Sequence, residues 1–190
     1  GLLRIASLLR DSGFRVTLVD CLDSSIKRRK YEDGKFLKTK IDKPAPIKPI
    51  PRNYSQYGIP EEILLKRFSM LEEKPDIIGI TSGMTYWYPG VFKVLEITKK
   101  IFGNVTTILG GIYATLCYEH AKMHSGVDIV FKGSGQLDVL KLISELTRFP
   151  IQQSTVCIDS PPYPAFDLYS RLNYVCIATS KGCPLRCSYC

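Results

Sequence analysis

The sequence predicts an α/β protein built on a doubly wound parallel sheet, and three observations lead there. Short apolar runs alternate with amphipathic helical stretches from Glu61 to Arg148, the pattern of strands joined by crossover helices. The runs are apolar on both faces rather than alternating, as strands covered by helices on each side must be. A chain of 190 residues, 45% hydrophobic and 23% charged, is long enough for one sizeable core and part of another.

Taken in order, Leu2, Leu3, Ile5, Ala6, Leu8 and Leu9 recur at helical spacing with Arg4, Ser7 and Arg10 on the other face, and Asp11-Ser12-Gly13 ends this helix. Val16 to Leu22 reads as a short buried strand. Helix, glycine turn and strand make the second half of a βαβ unit. Its first strand is expected before Gly1, so the chain reads as a fragment that starts inside a domain.

From Asp23 to Pro60 the periodicity vanishes. Lys27-Arg28-Arg29-Lys30 is followed by Pro44, Pro46, Pro49 and Pro51 and by the stretch Tyr54 to Tyr57, which reads as an inserted loop or arm spanning residues 23–60. Between Asp23 and Arg52 stand ten basic and four acidic residues, a net +6 out of +8 for the whole chain. The basic character therefore belongs to this segment and not to the folded core. It suits a solvated surface segment, or contact with a polyanion such as RNA or with an acidic partner.

Regular alternation resumes with a helix over Glu61–Glu73, a strand over Asp76–Ser82, a helix over Pro89–Phe102 and a strand over Val105–Leu109. A helix over Ile112–Met123, a strand over Asp128–Lys132 and a helix over Gln136–Arg148 complete the series. Residues 1–149 are thus expected to form one domain. Pro150, Pro161, Pro162 and Pro164 mark a linker over 150–172, and Asn173 to Thr179 reads as the first strand of a second, truncated domain over 173–190.

No apolar run approaches the ~20 residues needed to cross a bilayer, and cytosol is the expected compartment. Of seven cysteines, Cys21, Cys117, Cys157 and Cys176 are scattered, while Cys183, Cys187 and Cys190 crowd the last eight residues. Scattered cysteines behave as small buried hydrophobes. Crowding at short spacing in a chain with no secretion signal favours a metal over a disulfide.

Three loops follow the three later strands: Thr81-Ser82-Gly83-Met84-Thr85, Gly110-Gly111-Ile112 and Lys132-Gly133-Ser134-Gly135. Folds of this class bind ligands beyond the carboxyl ends of their strands. Glycine there lets a ligand lie against the backbone, and the helix N-termini that follow offer free N–H groups. A nucleotide, a flavin or another flat cofactor would fit such loops, and turns that simply need glycine would produce the same letters.

The loops resemble those of the cobalamin-binding Rossmann-like domain, whose motif runs DxHxxG, then SxL, then GG. Ser82-Gly83-Met84 stands at the second element with Met for Leu, and Gly110-Gly111 at the third, across the 25 residues Thr85 to Leu109. Gly1, just before the first helix, stands where the last glycine of DxHxxG belongs. Gly133-Ser134-Gly135-Gln136 resembles the GEGE of these proteins, with Ser and Gln in place of both Glu. The resemblance implies a Rossmann-like domain in which the Ser82 loop flanks the cofactor's nucleotide tail and Gly110-Gly111 lets that tail pass close to the sheet. The Asp and His of the first element would precede Gly1, so no cobalt ligand is assigned.

Cys183-Pro184-Leu185-Arg186-Cys187-Ser188-Tyr189-Cys190, preceded by Lys181-Gly182, places three thiolates at CxxxCxxC spacing directly after an expected strand. Such a loop can offer three corners to an iron–sulfur cube and leave the fourth iron open. Zinc would want a fourth protein ligand at matched spacing. The stretch resembles the radical S-adenosylmethionine (SAM) signature CxxxCxΦC, with Tyr189 as the aromatic. That resemblance implies a [4Fe-4S] cluster on Cys183, Cys187 and Cys190, SAM on the open iron, and reductive cleavage of SAM to a 5′-deoxyadenosyl radical. It also implies an external low-potential electron donor and the start of a radical SAM α/β barrel over 173–190. Together the two resemblances imply a cobalamin-dependent radical SAM enzyme that transfers a methyl group to an unactivated carbon, with ring contraction and cyclisation as related outcomes. The 190-residue chain alone is not expected to turn over, and no catalytic residue is assigned within it.

Alternatives to this reading are a radical SAM enzyme whose Rossmann-like domain binds no cobalamin and acts on RNA through the Lys27 to Arg52 arm, and a non-catalytic binding or electron-transfer module. Tyr86, Trp87 and Tyr88 suit a cofactor face or core packing equally. His120 and His124, four apart on a helix, lack a third ligand and read as surface or core histidines. Asp20 ends a strand where dinucleotide-binding folds place a ribose-binding acid, but no glycine fingerprint precedes it.

Overall fold

The computed structural model describes residues 1–23, 36–133, 135–151 and 163–170, together with Leu172, Val175 and Leu185. The cysteine loop with Cys183, Cys187, Tyr189 and Cys190, the strand expected over Asn173–Thr179 (save Val175), and Ser134 all lie outside the described residues.

The first helix, α1 (Leu2–Asp11), buries Ala6 and Leu8 and carries Arg10 in its last turn, where the cation meets the helix C-terminal dipole. Ser12 Oγ donates to the Leu8 carbonyl at 2.8 Å, and Gly13 at φ 92° turns the chain away. Residues 16–22, expected as a strand, pair with no strand among the described residues. Val19 and Cys21 still pack on the core. Residues 16–22 are half-buried, save the exposed Thr17, rather than fully buried, and show no ladder among the described residues.

Residues 36–60 of the arm are more ordered than their composition suggests. Strands β1 (Lys38–Lys40) and β2 (Ser55–Tyr57) form an antiparallel ribbon, with a 3-10 turn at Ala45–Ile47 between them. Lys-Thr-Lys has no apolar alternation, so nothing in its pattern signals a strand. The ribbon is held by its ladder and by its base, where Gly58 N–H donates to the Leu37 carbonyl at 2.8 Å and Ile59 N–H to the Cys21 carbonyl at 2.8 Å. Gly58, at φ 114°, lies so close to the Cys21 carbonyl that a Cβ would collide with it. Ile59 itself is buried in the core.

Helix α2 (Glu61–Ser69) opens on two acids and closes on Lys66 and Arg67, matching its dipole at both ends. Strand β3 (Ile77–Ser82), helix α3 (Tyr88–Phe102), strand β4 (Thr106–Gly111), helices α4 (Ile112–Leu116) and α5 (Tyr118–His124), strand β5 (Ile129–Val130) and helix α6 (Gln136–Thr147) follow. The three later strands form a parallel sheet in the order β3, β4, β5. Ile77, Ile108 and Ile129 face Ile5 and Leu9 of α1 and Val139 and Ile143 of α6. Ile78, Ile80, Leu109 and Val130 face the opposite layer, which includes Leu64, Phe68, Val91, Leu95 and Tyr113. Helices on both faces confirm the doubly wound α/β prediction.

Three elements differ from expectation. The helix expected over Ile112–Met123 breaks at Cys117, whose φ of −118° and ψ of 42° leave the helical region. Just before the break, Thr115 Oγ1 donates back to the Gly111 carbonyl at 2.9 Å, a bond that bends helices. β4 runs through both glycines of the expected Gly110-Gly111 loop. β5 is only two residues long, because Asp128 is committed elsewhere.

Asp128 Oδ2 accepts from Thr107 N–H at 2.7 Å and from Thr107 Oγ1 at 2.6 Å, and Thr107 Oγ1 in turn accepts from Asp128 N–H at 3.1 Å. This knot sets the start of β5 against β4. The Thr107 hydroxyl, helped by the backbone N–H groups, holds the Asp128 carboxyl below its ordinary value of 3.8, against the smaller opposing effect of burial. A depressed folded value means that the carboxylate stabilises the fold above the ordinary range and that this contribution is lost as pH falls through the folded value. Asp128→Ala is therefore expected to lower the urea midpoint at pH 6, with the gap from wild type closing as pH drops below about 4; a gap unchanged at pH about 2 would show that ionisation plays no part.

Candidate functional site

The carboxyl ends of β3, β4 and β5 bring the three predicted loops to one edge of the sheet. Thr81 pairs with Gly110 and Ser82 with Gly111, so β3 and β4 stay in register to their last residues. Gly111 has φ 90°, and a Cβ there would lie 2.5 Å from Thr81 Oγ1 and 2.8 Å from the Ser82 carbonyl oxygen. Only glycine fits.

Gly110 is a glycine of a different kind. A Cβ at Gly110 meets nothing within 4 Å, and the same holds for Gly79, two residues before Thr81 on β3. Strand alternation puts Gly79, Thr81 and Gly110 on the face that carries Ile108. Gly79 and Thr81 are exposed. They form a bare strip of sheet on which a ligand can lie against the backbone. Gly1, exposed at the head of α1, also has open space where a Cβ would be.

The first loop is a built turn. Ser82 is 3% exposed and its Oγ donates to the Met84 carbonyl at 2.6 Å, so the hydroxyl shapes the loop. Trp87, on the 3-10 turn Thr85–Trp87, covers Gly83, whose Cβ would meet its ring at 3.3 Å. Met84, Tyr86, Trp87, Ile112 and Leu116 are all exposed, an apolar rim of the kind that marks a binding surface. Tyr88 instead joins an aromatic cluster, stacked on the buried Tyr113 at 5.8 Å and edge-on to His120 at 5.0 Å.

The third loop is tied to the second by Thr115. Its Oγ1 donates to the Gly111 carbonyl and accepts from Gly133 N–H at 3.2 Å. Gly133 has φ 102°, and the Asp138 carboxylate occupies the space where a Cβ of Gly135 would go. Sequence reasoning missed Gly79 and Thr115. An isolated glycine within Ile77-Ile78-Gly79-Ile80 is the signal that would have found the first, since mid-strand glycine marks close backbone approach. Nothing local distinguishes Thr115.

Lys132 is the one charged side chain in the three loops, and its ammonium sits 5.6 Å from the centre of the Tyr118 ring. By sequence the three loops themselves contain no carboxylate, histidine or thiol, and the nearest carboxylate is that of Asp138, against Gly135. His120 Nδ1 lies 2.7 Å from Tyr113 Oη, and no group of three metal-binding side chains occurs among the described residues. Asp20 Oδ1 accepts from Leu22 N–H at 2.9 Å and closes a turn, while burial pushes its carboxyl pKa above the ordinary value. Cys21 and Cys117 are free thiols.

Residues 67–142 match the family model described as the B12 binding domain. The chain is 25% identical over 153 residues to the anaerobic magnesium-protoporphyrin IX monomethyl ester cyclase of Rubrivivax gelatinosus, covering 62% of this chain and 27% of that protein. The chain thus spans about a quarter of the length of this curated relative. No solved structure gives a significant match.

The two glycines of β4 should respond oppositely to a methyl group. Gly111→Ala is expected to cost about 2–4 kcal/mol, from the positive φ and the clash with β3, whereas Gly110→Ala should stay within about 1 kcal/mol of wild type. Urea unfolding of both variants checks this; equal losses would mean that the close approach to Thr81 is absent.

Proposed function

We propose, from the B12 binding domain match over residues 67–142 and the edge it covers, that the bare strip of Gly79, Thr81 and Gly110 holds the nucleotide tail of cobalamin. The observation that carries the reading is the empty space over Gly79 and Gly110, where side chains on both strands are missing and a Cβ would touch nothing. The exposed apolar residues Met84, Trp87 and Ile112 then meet the flat macrocycle at the rim. In this reading Ser82 and Gly83 shape the first loop, Gly111 and Thr115 hold the second against it, and Gly133, Ser134 and Gly135 border the third. Gly1 closes the strip at the head of α1.

Cobalamin, when bound, supplies a carrier for a methyl group or an electron, which the side chains of this edge cannot replace. The rest of the reading concerns the whole protein. Cys183, Cys187 and Cys190 would hold a [4Fe-4S] cluster, with Tyr189 beside SAM, and an external low-potential donor would reduce it. The parent would be a cobalamin-dependent radical SAM enzyme that transfers a methyl group to an unactivated carbon. A second reading, ring closure on a large substrate, is favoured by the name of the Rubrivivax relative, a cyclase acting on a magnesium porphyrin ester.

Gly79→Val suits a strand and should leave folding intact. By overfilling the strip it should weaken hydroxocobalamin binding about tenfold or more in absorbance titrations of the 190-residue chain; unchanged affinity would move the tail elsewhere. For the complete protein, supplied with reductant and SAM, methyl transfer should release S-adenosylhomocysteine and 5′-deoxyadenosine in equal amounts, and ring closure 5′-deoxyadenosine alone. Cys187→Ala should release neither. Neither product from the wild-type protein would favour a non-catalytic module.

A further inference from the structure

The arm carries a second surface, richer in charge than the sheet edge. Residues 36–60 hold Lys38, Lys40, Lys43, Lys48 and Arg52 against the single acid Asp42. Among the described residues Lys38, Lys40 and Lys48 have no ion-pair partner. Ribbon register sets Lys38 opposite Tyr57 and Lys40 opposite Ser55, so the two lysines share one face with a tyrosine that is 59% exposed. At the far end, Lys43 Nζ donates to the Ile50 carbonyl and closes the proline-rich connection on itself. A cleft of about 470 Å3 lies there, lined by Lys40, Ile41, Asp42, Lys43, Lys48 and Tyr54.

Asp42 is the single acid beside these lysines, so the surface keeps a net positive charge that attracts a polyanion. The shape narrows the choice. A concave cleft with an aromatic wall fits one strand of phosphates with an unstacked base, whereas a duplex hides its base faces and a bilayer presents a plane. We propose that the ribbon and its cleft bind single-stranded RNA, with phosphates against Lys40, Lys43 and Lys48 and a base stacked on Tyr54. This surface is independent of the cobalamin reading.

The test is fluorescence anisotropy of an end-labelled single-stranded RNA of about 20 nucleotides, long enough to span the site sizes of single-strand binders, titrated with the 190-residue chain from roughly 50 to 300 mM KCl, a range over which phosphate contacts weaken steeply. Binding should weaken linearly on a double logarithmic plot. Replacing Lys40, Lys43 and Lys48 together by Gln should flatten the slope by about 2, at roughly 0.7 per phosphate contact on a single strand, and lower affinity at least tenfold. Lys40→Gln with Lys48→Gln leaves the Lys43 bond to Ile50 in place and should flatten it by about 1.4, with circular dichroism unchanged. Tyr54→Leu should weaken binding about fivefold or more at constant slope. No retention of RNA at the lowest salt would overturn the proposal, as would variants with wild-type slope. Tighter binding to phosphatidylserine vesicles through the same lysines would replace RNA with a membrane surface.

Discussion

The contact on which the sheet edge depends is the approach of Gly111 to Thr81 and Ser82. At φ 90° and with no side chain, Gly111 lets β4 lie against the end of β3 at a distance no Cβ would allow. Register is therefore kept to the last residue of each strand, and α4 begins immediately afterwards. Thr115, one turn into α4, bonds back to the Gly111 carbonyl and takes the N–H of Gly133. Through these two bonds one backbone conformation positions all three loops. Ser82 completes the edge by turning its buried hydroxyl onto the Met84 carbonyl.

What results is an edge with shape and little charge. Glycines on two neighbouring strands strip one face of the sheet bare, and the exposed Met84, Trp87 and Ile112 surround it with apolar surface. On the proposed reading an edge so lined would fix the orientation of a bound group that carries the reactive chemistry. In that reading the sheet edge would hold cobalamin and the cysteines of residues 183–190 a second cofactor.

The arm follows a different logic. Its charge is excluded from the core by the cost of burying unpaired lysines, yet its base is anchored there by Ile59 and by the close packing of Gly58 on Cys21. Asp23, buried, pairs with Arg67 of α2 and accepts from Ser170 Oγ at 3.3 Å. Residues 163–170 also return to α1, where Ala165 N–H donates to the Leu3 carbonyl at 3.0 Å. The root of the arm is thus part of the folded core while its basic surface stays outside.

The α/β class and both helix-covered faces were legible in the sequence. Apolar periodicity records burial, and burial of alternating helices and strands leaves few arrangements open. So were the loops at the ends of β3 and β4, because Gly and Ser there report local backbone needs that act within a few residues. Pairing was not legible. Val16–Leu22 has the composition of a strand without the ladder, and Lys38–Lys40 has the ladder without the composition, since hydrogen-bond partners come from distant chain. Nor could the letters separate Gly110 from Gly111. Tertiary structure alone decides that Gly111 is needed by the fold and that Gly110 is not, because the difference lies in what stands across from each: Thr81 and Ser82 in one case, open space in the other.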